Sequence, residues 1–212
     1  MRIKAIIFDM DGVLIEAKDW HYEALNRALL LFGYEISRFD HLTTYDGLPT
    51  RKKLEMLSAE RNLPRSLHSF INEMKQIYTT EIIHQRCRPL FVHEYALSTL
   101  KAKGYKLGLA SNSIRSTIEL MMEKASLKQY LDVIRSNEDV TEGKPNPAIY
   151  TSAIEALNLM PEECLVVEDN ENGIRAARAA GAHVLVVHEV TDVTLDRITN
   201  FIEHAEGKAV SL

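Results

Sequence analysis

From Pro89 onward, short apolar strands alternate with helical segments, and this alternation limits the possible folds more than any other feature. The strand segments after Pro89 share a high content of aliphatic residues and cover residues 105–110, 131–134, 164–167 and 183–187. A strand that is followed by a helix and a second strand forms a parallel pair joined by a crossover. The repeated unit therefore predicts an α/β fold with a doubly wound, Rossmann-like parallel sheet.

The first strand of this sheet is predicted at residues 3–8, which form a continuous apolar run too short for an ordinary helix. Such a run is typical of a strand buried on both faces. It ends at Asp9-Met10-Asp11-Gly12. Two acids spaced two residues apart in an extended chain point to the same side, so Asp9 and Asp11 can face one substrate. Taken alone, the stretch is explained equally well by a strand followed by an Asp-Gly turn without chemistry.

Between the first strand and Pro89, apolar residues repeat at helical spacing over several segments with no strand between them. A crossover in a parallel sheet needs only one helix. We therefore predict an all-helical subdomain inserted after the first strand. It would cover residues 16–88, and residues 1–15 with 89–212 would form the sheet-containing core.

Charge and cysteine content narrow the classes of partner and compartment. A net charge of -5 and a pI near 5.9 argue against nucleic acid or an anionic membrane as the main partner. Cys87 and Cys164 form no metal-type pair and suggest no disulfide framework. The sequence shows no signal peptide and no apolar run of membrane-spanning length, so a cytoplasmic protein is expected.

Polar side chains stand directly after three of the predicted strands and in one loop that enters a helix. They are Asp9 and Asp11 after the first strand, Ser111 and Asn112 after the second, Glu168 and Asp169 after the fourth, and Lys144 in the loop. Because the carboxyl ends of parallel strands lie at one edge of the sheet, these residues can converge there.

The types of these residues indicate a chemistry. Several carboxylates in one pocket repel one another unless a cation is present, and oxygen ligands suit Mg²⁺. A lysine, a serine hydroxyl and N–H groups at a helix start suit a phosphate. The set predicts a magnesium-assisted phosphoryl-transfer site. In isolation, Lys144 is well explained as a solvated surface lysine and Ser111 as a plain helix N-cap, but these explanations are disfavoured once both residues flank the same pocket.

Four motifs in order along the chain resemble those of the haloacid dehalogenase-like superfamily. They are Asp9-Met10-Asp11-Gly12-Val13, Ser111-Asn112, Lys144-Pro145, and Glu168-Asp169 followed by Gly173-Ile174-Arg175-Ala176-Ala177. Any one of them is a weak signal, but four in the expected order and structural context are specific. The inserted helices resemble the helical cap of the phosphatase and β-phosphoglucomutase-like branch.

The resemblance implies a role for each acidic residue. Asp9 would attack phosphorus and form an aspartyl-phosphate. Asp11 would protonate the leaving oxygen and then activate the incoming hydroxyl. The Mg²⁺ ligands would be Asp9, Asp169 and the backbone carbonyl of Asp11, with Glu168 either a further ligand or a partner that orients the site.

The resemblance also implies groups that bind the substrate. Ser111, the N–H of Asn112 and Lys144 would hold the transferring phosphoryl oxygens. In the cap, His21, Arg51 and Lys75 are candidate substrate contacts, although His21 is also compatible with a histidine on a helix surface. Glu16-Ala17 departs from the Asp followed by Ser or Thr that is usual at the hinge of such proteins.

The function expected from these features is that of a monomeric, Mg²⁺-dependent phosphatase acting on a small phosphorylated metabolite, with a sugar phosphate favoured. A β-phosphoglucomutase-like phosphomutase shares every core residue and stays open as the alternative. A receiver-type signalling module also places a phospho-acceptor Asp on a parallel sheet. The length of this chain, its helical insert and the position of the acceptor at the first strand argue against a receiver module.

Overall fold

The structure is a computed structural model that describes residues 2–45 and 48–207. Within these residues, one parallel sheet is formed by β1 (Ala5–Phe8), β2 (Lys106–Ala110), β3 (Val133–Arg135), β4 (Cys164–Glu168) and β5 (His183–Val186). The strand order is β3-β2-β1-β4-β5, and every neighbouring pair is parallel. The predicted α/β fold with a parallel sheet is confirmed.

Strand β1 lies at the centre of the sheet, and all of its residues are buried. Phe8 is level with Leu109 of β2 and with Val167 of β4. This register brings Asp9, the next residue, level with the last residues of the two flanking strands. The edge formed by the carboxyl ends of β2, β1 and β4 is therefore lined by the acidic and polar motifs.

Helices lie between the strands along the chain. The α-helices of the described residues are α1 (Lys18–Leu30), α2 (Arg38–Asp40), α3 (Thr50–Arg61), α4 (His68–Arg86), α5 (Phe91–Ala102), α6 (Arg115–Lys124), α7 (Ala148–Ala156), α8 (Glu171–Ala179) and α9 (Leu195–Ala205). Short 3₁₀ helices cover Arg65–Leu67, Lys128–Tyr130, Asn137–Asp139, Pro161–Glu163 and Val190–Asp192, and His41–Tyr45 is a π-helix. Across the part of the chain with coordinates, no helix combines the length and apolar character needed to cross a bilayer.

The main apolar core joins the sheet to α7 and α8. Ala5 and Ile7 of β1 belong to the same buried cluster as Ile149 and Tyr150 of α7 and Ala176 of α8. Elsewhere, α5 packs against α9 and β2. The strands and helices are held by their packing in this core, and they therefore fix the ends of the loops that carry the motifs.

The chain divides into two compact units. One comprises the residues up to Glu16 together with those from Arg88 onward, and the other is Ala17–Cys87, which contains α1–α4. In the second unit α1 packs on α4, and the buried side chain of Asn26 both donates to and accepts from the backbone of Ile36. The predicted helical insert is confirmed. That residues 16–88 act as a cap domain on a core of 1–15 and 89–212 stays a prediction.

One helix begins later than its sequence suggests. The pattern predicts a helix that opens at residues 111–113, whereas α6 begins at Arg115. Oγ of Ser111 accepts a hydrogen bond from the N–H of Ser113 at 3.1 Å. This local bond competes with helical hydrogen bonding and keeps residues 111–114 in a loop. Ser111 is thus not the N-cap of α6, and the N-cap explanation is wrong.

Candidate active site

Three carboxylates meet at the carboxyl edge of the sheet. Asp9 follows β1 directly, Glu168 is the last residue of β4, and Asp169 follows it. Each offers one oxygen, and these oxygens all lie within 4.8 Å of one another. The sheet register brings together residues that are far apart in sequence.

Lys144 reaches this group from the loop before α7. Its Nζ donates to Oδ1 of Asp9 at 2.5 Å and to Oε1 of Glu168 at 2.7 Å. The residue is only 7% exposed, so the alternative of a solvated surface lysine is wrong. A buried ammonium between two acids offsets part of their charge.

The electrostatics of the cluster are dominated by burial and by the attraction between Lys144 and the acids around it. Burial raises the pKa of Asp9 well above its usual range, the Lys144 ammonium opposes this rise, and neighbouring acids add to it. Burial lowers the pKa of Lys144, but the carboxylates of Asp9 and Glu168 outweigh it, so the net shift is upward. Lys144 therefore stays charged, and further positive charge near Asp9 would favour its ionised form.

The donor set fits a divalent cation of the magnesium type. The clustered oxygens of Asp9, Glu168 and Asp169 are hard ligands, and few side chains are needed because Mg²⁺ keeps several waters. A bound dication would favour the ionised forms of these acids. Asp9 and Asp169 are the residues we expect to hold it.

Asp11 is joined to the second strand's loop by a residue that the motif analysis missed. Oγ of Ser113 donates to Oδ2 of Asp11 at 3.3 Å. Gly12 adopts φ = 88°, a left-handed conformation that glycine reaches without steric cost, and the chain turns there. Ser113 carries a sequence signal only through its place beside Ser111 and Asn112, so contact with Asp11 could not be predicted.

Asn112 joins two of the motif loops through its side chain. Its Oδ1 accepts a hydrogen bond from the backbone N–H of Lys144 at 3.0 Å. A Cβ on Gly143 would lie 2.5 Å from that oxygen, so the glycine permits the close approach. That the N–H of Asn112 binds a phosphoryl oxygen stays a prediction beside the observed side-chain contact.

Tyr150 is a second residue that the sequence analysis missed. It is fully buried on α7, and its hydroxyl donates to Oε1 of Glu168 at 2.6 Å. The Lys144 Nζ lies 4.7 Å from the centre of its ring. Burial raises the pKa of Tyr150 well above its usual range, so the hydroxyl is a donor at neutral pH. In sequence, Tyr150 reads as an apolar position of a helix, which hides its contact.

The other oxygen of Glu168 is bound by the start of the following segment. Oε2 accepts from the N–H groups of Asp169 at 3.0 Å and Asn170 at 3.2 Å. Gly173 of α8 packs directly against the carboxylate, because a Cβ there would lie 1.7 Å from Oε1. These hydrogen bonds and the contact with Gly173 restrict the side chain of Glu168.

We expect Gly173→Ala to lower the free energy of unfolding by about 1–3 kcal/mol, the usual effect of overpacking. Alanine in place of glycine normally stabilises a helix by roughly 0.5–1 kcal/mol, so a decrease in the free energy of unfolding would indicate the steric conflict. The measurement is urea unfolding, with Asn172→Ala on the same helix as the control. A Gly173→Ala protein at least as stable as the wild type would contradict the close approach.

The predicted substrate contacts of the helical unit fall into two groups. Nζ of Lys75 lies 3.4 Å from Nδ1 of His21, so α1 and α4 bring these two residues together. Arg51 instead pairs with Glu55 at 3.1 Å on α3, and its side chain is 89% exposed. Contact of any of the three with a substrate stays a prediction.

Comparison with known proteins gives a family and several relatives. Residues 6–187 match the model of the haloacid dehalogenase-like hydrolase family. The chain is 32% identical over 195 residues to a phosphorylated carbohydrates phosphatase of Thermotoga maritima, covering 90% of this chain and 88% of the relative. It is 27% identical to a phosphoglycolate phosphatase of Aquifex aeolicus, covering 98% of this chain and 99% of the relative.

A solved structure shares the fold over nearly the whole chain. The crystal structure of β-phosphoglucomutase from Clostridium difficile matches with a TM-score of 0.83 and 22% identity, covering 97% of this chain and 99% of that one. This likeness extends to the helical insert as well as the sheet. The family match over residues 6–187 and the 32% identical relative show that the chain belongs to the haloacid dehalogenase-like hydrolases.

Proposed function

We propose that this protein is a Mg²⁺-dependent phosphatase that hydrolyses a small phosphorylated metabolite, with sugar phosphates as the favoured class. The observation that carries the proposal is the buried contact of Lys144 with both Asp9 and Glu168, with Asp169 beside them. Membership of the family makes a hydrolase acting on phosphate esters the favoured activity. The phosphorylated-carbohydrate specificity of one relative favours sugar phosphates.

The first half of the reaction transfers the phosphoryl group to the protein. A carboxylate oxygen of Asp9 attacks phosphorus while the bond from phosphorus to the ester oxygen breaks. Asp11 donates a proton to the departing oxygen, so the product leaves as an alcohol. The Lys144 ammonium and the Ser111 hydroxyl hold the phosphoryl oxygens and offset their charge.

The second half regenerates the protein. A water molecule attacks the phosphorus of the aspartyl-phosphate, its proton passes to Asp11, and the bond from phosphorus to Asp9 breaks to release inorganic phosphate. Mg²⁺, when bound by Asp9 and Asp169, supplies positive charge that neutralises the phosphoryl oxygens. Glu168 keeps Lys144 in place throughout.

The test separates a phosphatase from a phosphomutase. We expect inorganic phosphate to be released from several sugar phosphates in the presence of Mg²⁺, without isomerisation of the substrate. The protein is incubated with β-glucose 1-phosphate, a trace of the bisphosphate and Mg²⁺, and both free phosphate and glucose 6-phosphate are measured. Asp9→Asn protein, prepared in parallel, reports any contaminating phosphatase.

Two outcomes would change the proposal. Glucose 6-phosphate that accumulates much faster than free phosphate would make the protein a phosphomutase. A wide panel of phosphorylated metabolites that yields no phosphate at all would refute hydrolysis.

A further inference from the structure

The Glu168 carboxylate connects the buried residues of the site. It accepts from Lys144 and Tyr150 on one oxygen and from two backbone N–H groups on the other. Both oxygens of the carboxylate are therefore held by two donors each. Any rotation of Glu168 breaks a hydrogen bond, and Gly173 closes off the space beside it.

Tyr150 contacts two members of this group in two different ways. Its hydroxyl donates to Glu168, and its ring lies beside the Lys144 ammonium. The residue sits on α7 in the apolar core, which holds the ring in place. A hydroxyl on a rigid support can fix an acceptor more firmly than a flexible side chain can, because less conformational entropy is lost.

We propose that Tyr150 is a positioning residue of the phosphoryl-transfer site, acting through Glu168 to hold the Lys144 ammonium beside Asp9. The role in phosphoryl transfer rests on the proposed function, whereas the contacts of Tyr150 do not. Without the hydroxyl, Oε1 of Glu168 keeps one donor, the ammonium itself. The carboxylate and the ammonium would then be free to shift together, and the ammonium would no longer be aligned with a phosphoryl oxygen.

The ring and the hydroxyl can be separated by Tyr150→Phe, which keeps the ring beside Lys144 and removes only the donor. We expect kcat/KM to fall about 10- to 100-fold, as for other groups that orient the residues of a metal site. We also expect the Kd of inorganic phosphate, measured by calorimetry in the presence of Mg²⁺, to rise about fivefold or more, the effect of losing one hydrogen bond.

Ser152→Ala is the matched control. Oγ of Ser152 accepts a hydrogen bond from Nε of Arg135 at 2.8 Å, and the residue lies on the same helix as Tyr150. The change therefore removes a bonded hydroxyl from α7 without touching Glu168. We expect wild-type values of kcat/KM and phosphate affinity for this variant.

A double-mutant cycle tests the route of the effect. If Tyr150 acts through Glu168, phosphate affinity in the combined Tyr150→Phe and Glu168→Ala protein should equal that of Glu168→Ala alone, because alanine leaves no side-chain acceptor for the Tyr150 hydroxyl. Losses that multiply would overturn the proposal. So would a Tyr150→Phe protein with wild-type kcat/KM and phosphate affinity.

The remaining outcomes are also decisive. A Tyr150→Phe protein that does not fold, judged by circular dichroism, would overturn the inference because the hydroxyl would then serve the fold and not the site. A wild-type protein that hydrolyses no phosphate ester refutes the proposed function instead. In that case the ratio of phosphate affinities still decides the role of Tyr150.

Discussion

Replacing Asp9 with asparagine is expected to lower kcat by more than about a hundredfold, which corresponds to roughly 2.7 kcal/mol of activation free energy. The amide keeps the shape of the side chain and an oxygen that can accept from Lys144, but it is not a nucleophile. Lys144 also keeps its bond to Glu168. Burial, and after it the neighbouring acids, raise the pKa of Asp9, so a neutral side chain at this position is tolerated and the fold should survive.

The control for this variant is Asp132→Asn, the same chemical change outside the site. Asp132 pairs with Lys101 and accepts from the N–H of Leu107, so its loss affects stability alone. When the substrate carries a radioactive phosphoryl group and the reaction is quenched with acid, labelled phosphoprotein should be found for the wild-type and Asp132→Asn proteins. It should be absent for Asp9→Asn. An Asp9→Asn protein that retains more than about a hundredth of wild-type kcat would show that the nucleophile lies elsewhere.

Removal of Mg²⁺ is expected to abolish hydrolysis, and its return to restore it. One oxygen from each of the three acids at the sheet edge lies within 4.8 Å of the others, and such close carboxylates repel one another unless a cation is present. Mg²⁺ at about 100 times its Kd would stabilise the folded state by about 2.7 kcal/mol. For a chain of this length, we expect the Tm to rise by roughly 5–10 °C.

The thermal shift gives a measure that does not depend on activity. Asp169→Ala should show no shift with Mg²⁺, and without the ion it should be at least as stable as the wild type because a repelling acid is gone. Sodium chloride at matched ionic strength controls for screening. Full activity in excess EDTA, or an equal shift in Asp169→Ala, would rule out the metal site.

The fold and the acidic part of the site were predictable because they depend on short-range patterns. Aliphatic runs of strand length, each followed by a helical pattern, predict a parallel sheet without knowledge of any contact. The sheet then places Asp9 and Asp169 at one edge, since all parallel strands end on the same side. The start of α6 was predicted too early because Oγ of Ser111 accepts a hydrogen bond from the N–H of Ser113. Composition does not decide between this local bond and a helical one.

The sequence by itself therefore determined the sheet, the helical insert and which carboxylates share an edge. Only the tertiary structure decided how those carboxylates are held. Tyr150 resembles any buried helix residue until α7 packs on the sheet and brings its hydroxyl to Glu168. Gly173 is part of the fourth motif, but its close approach to the same carboxylate is seen only once α8 is in place. The geometry of both contacts depends on packing at ångström precision, which no periodic pattern encodes.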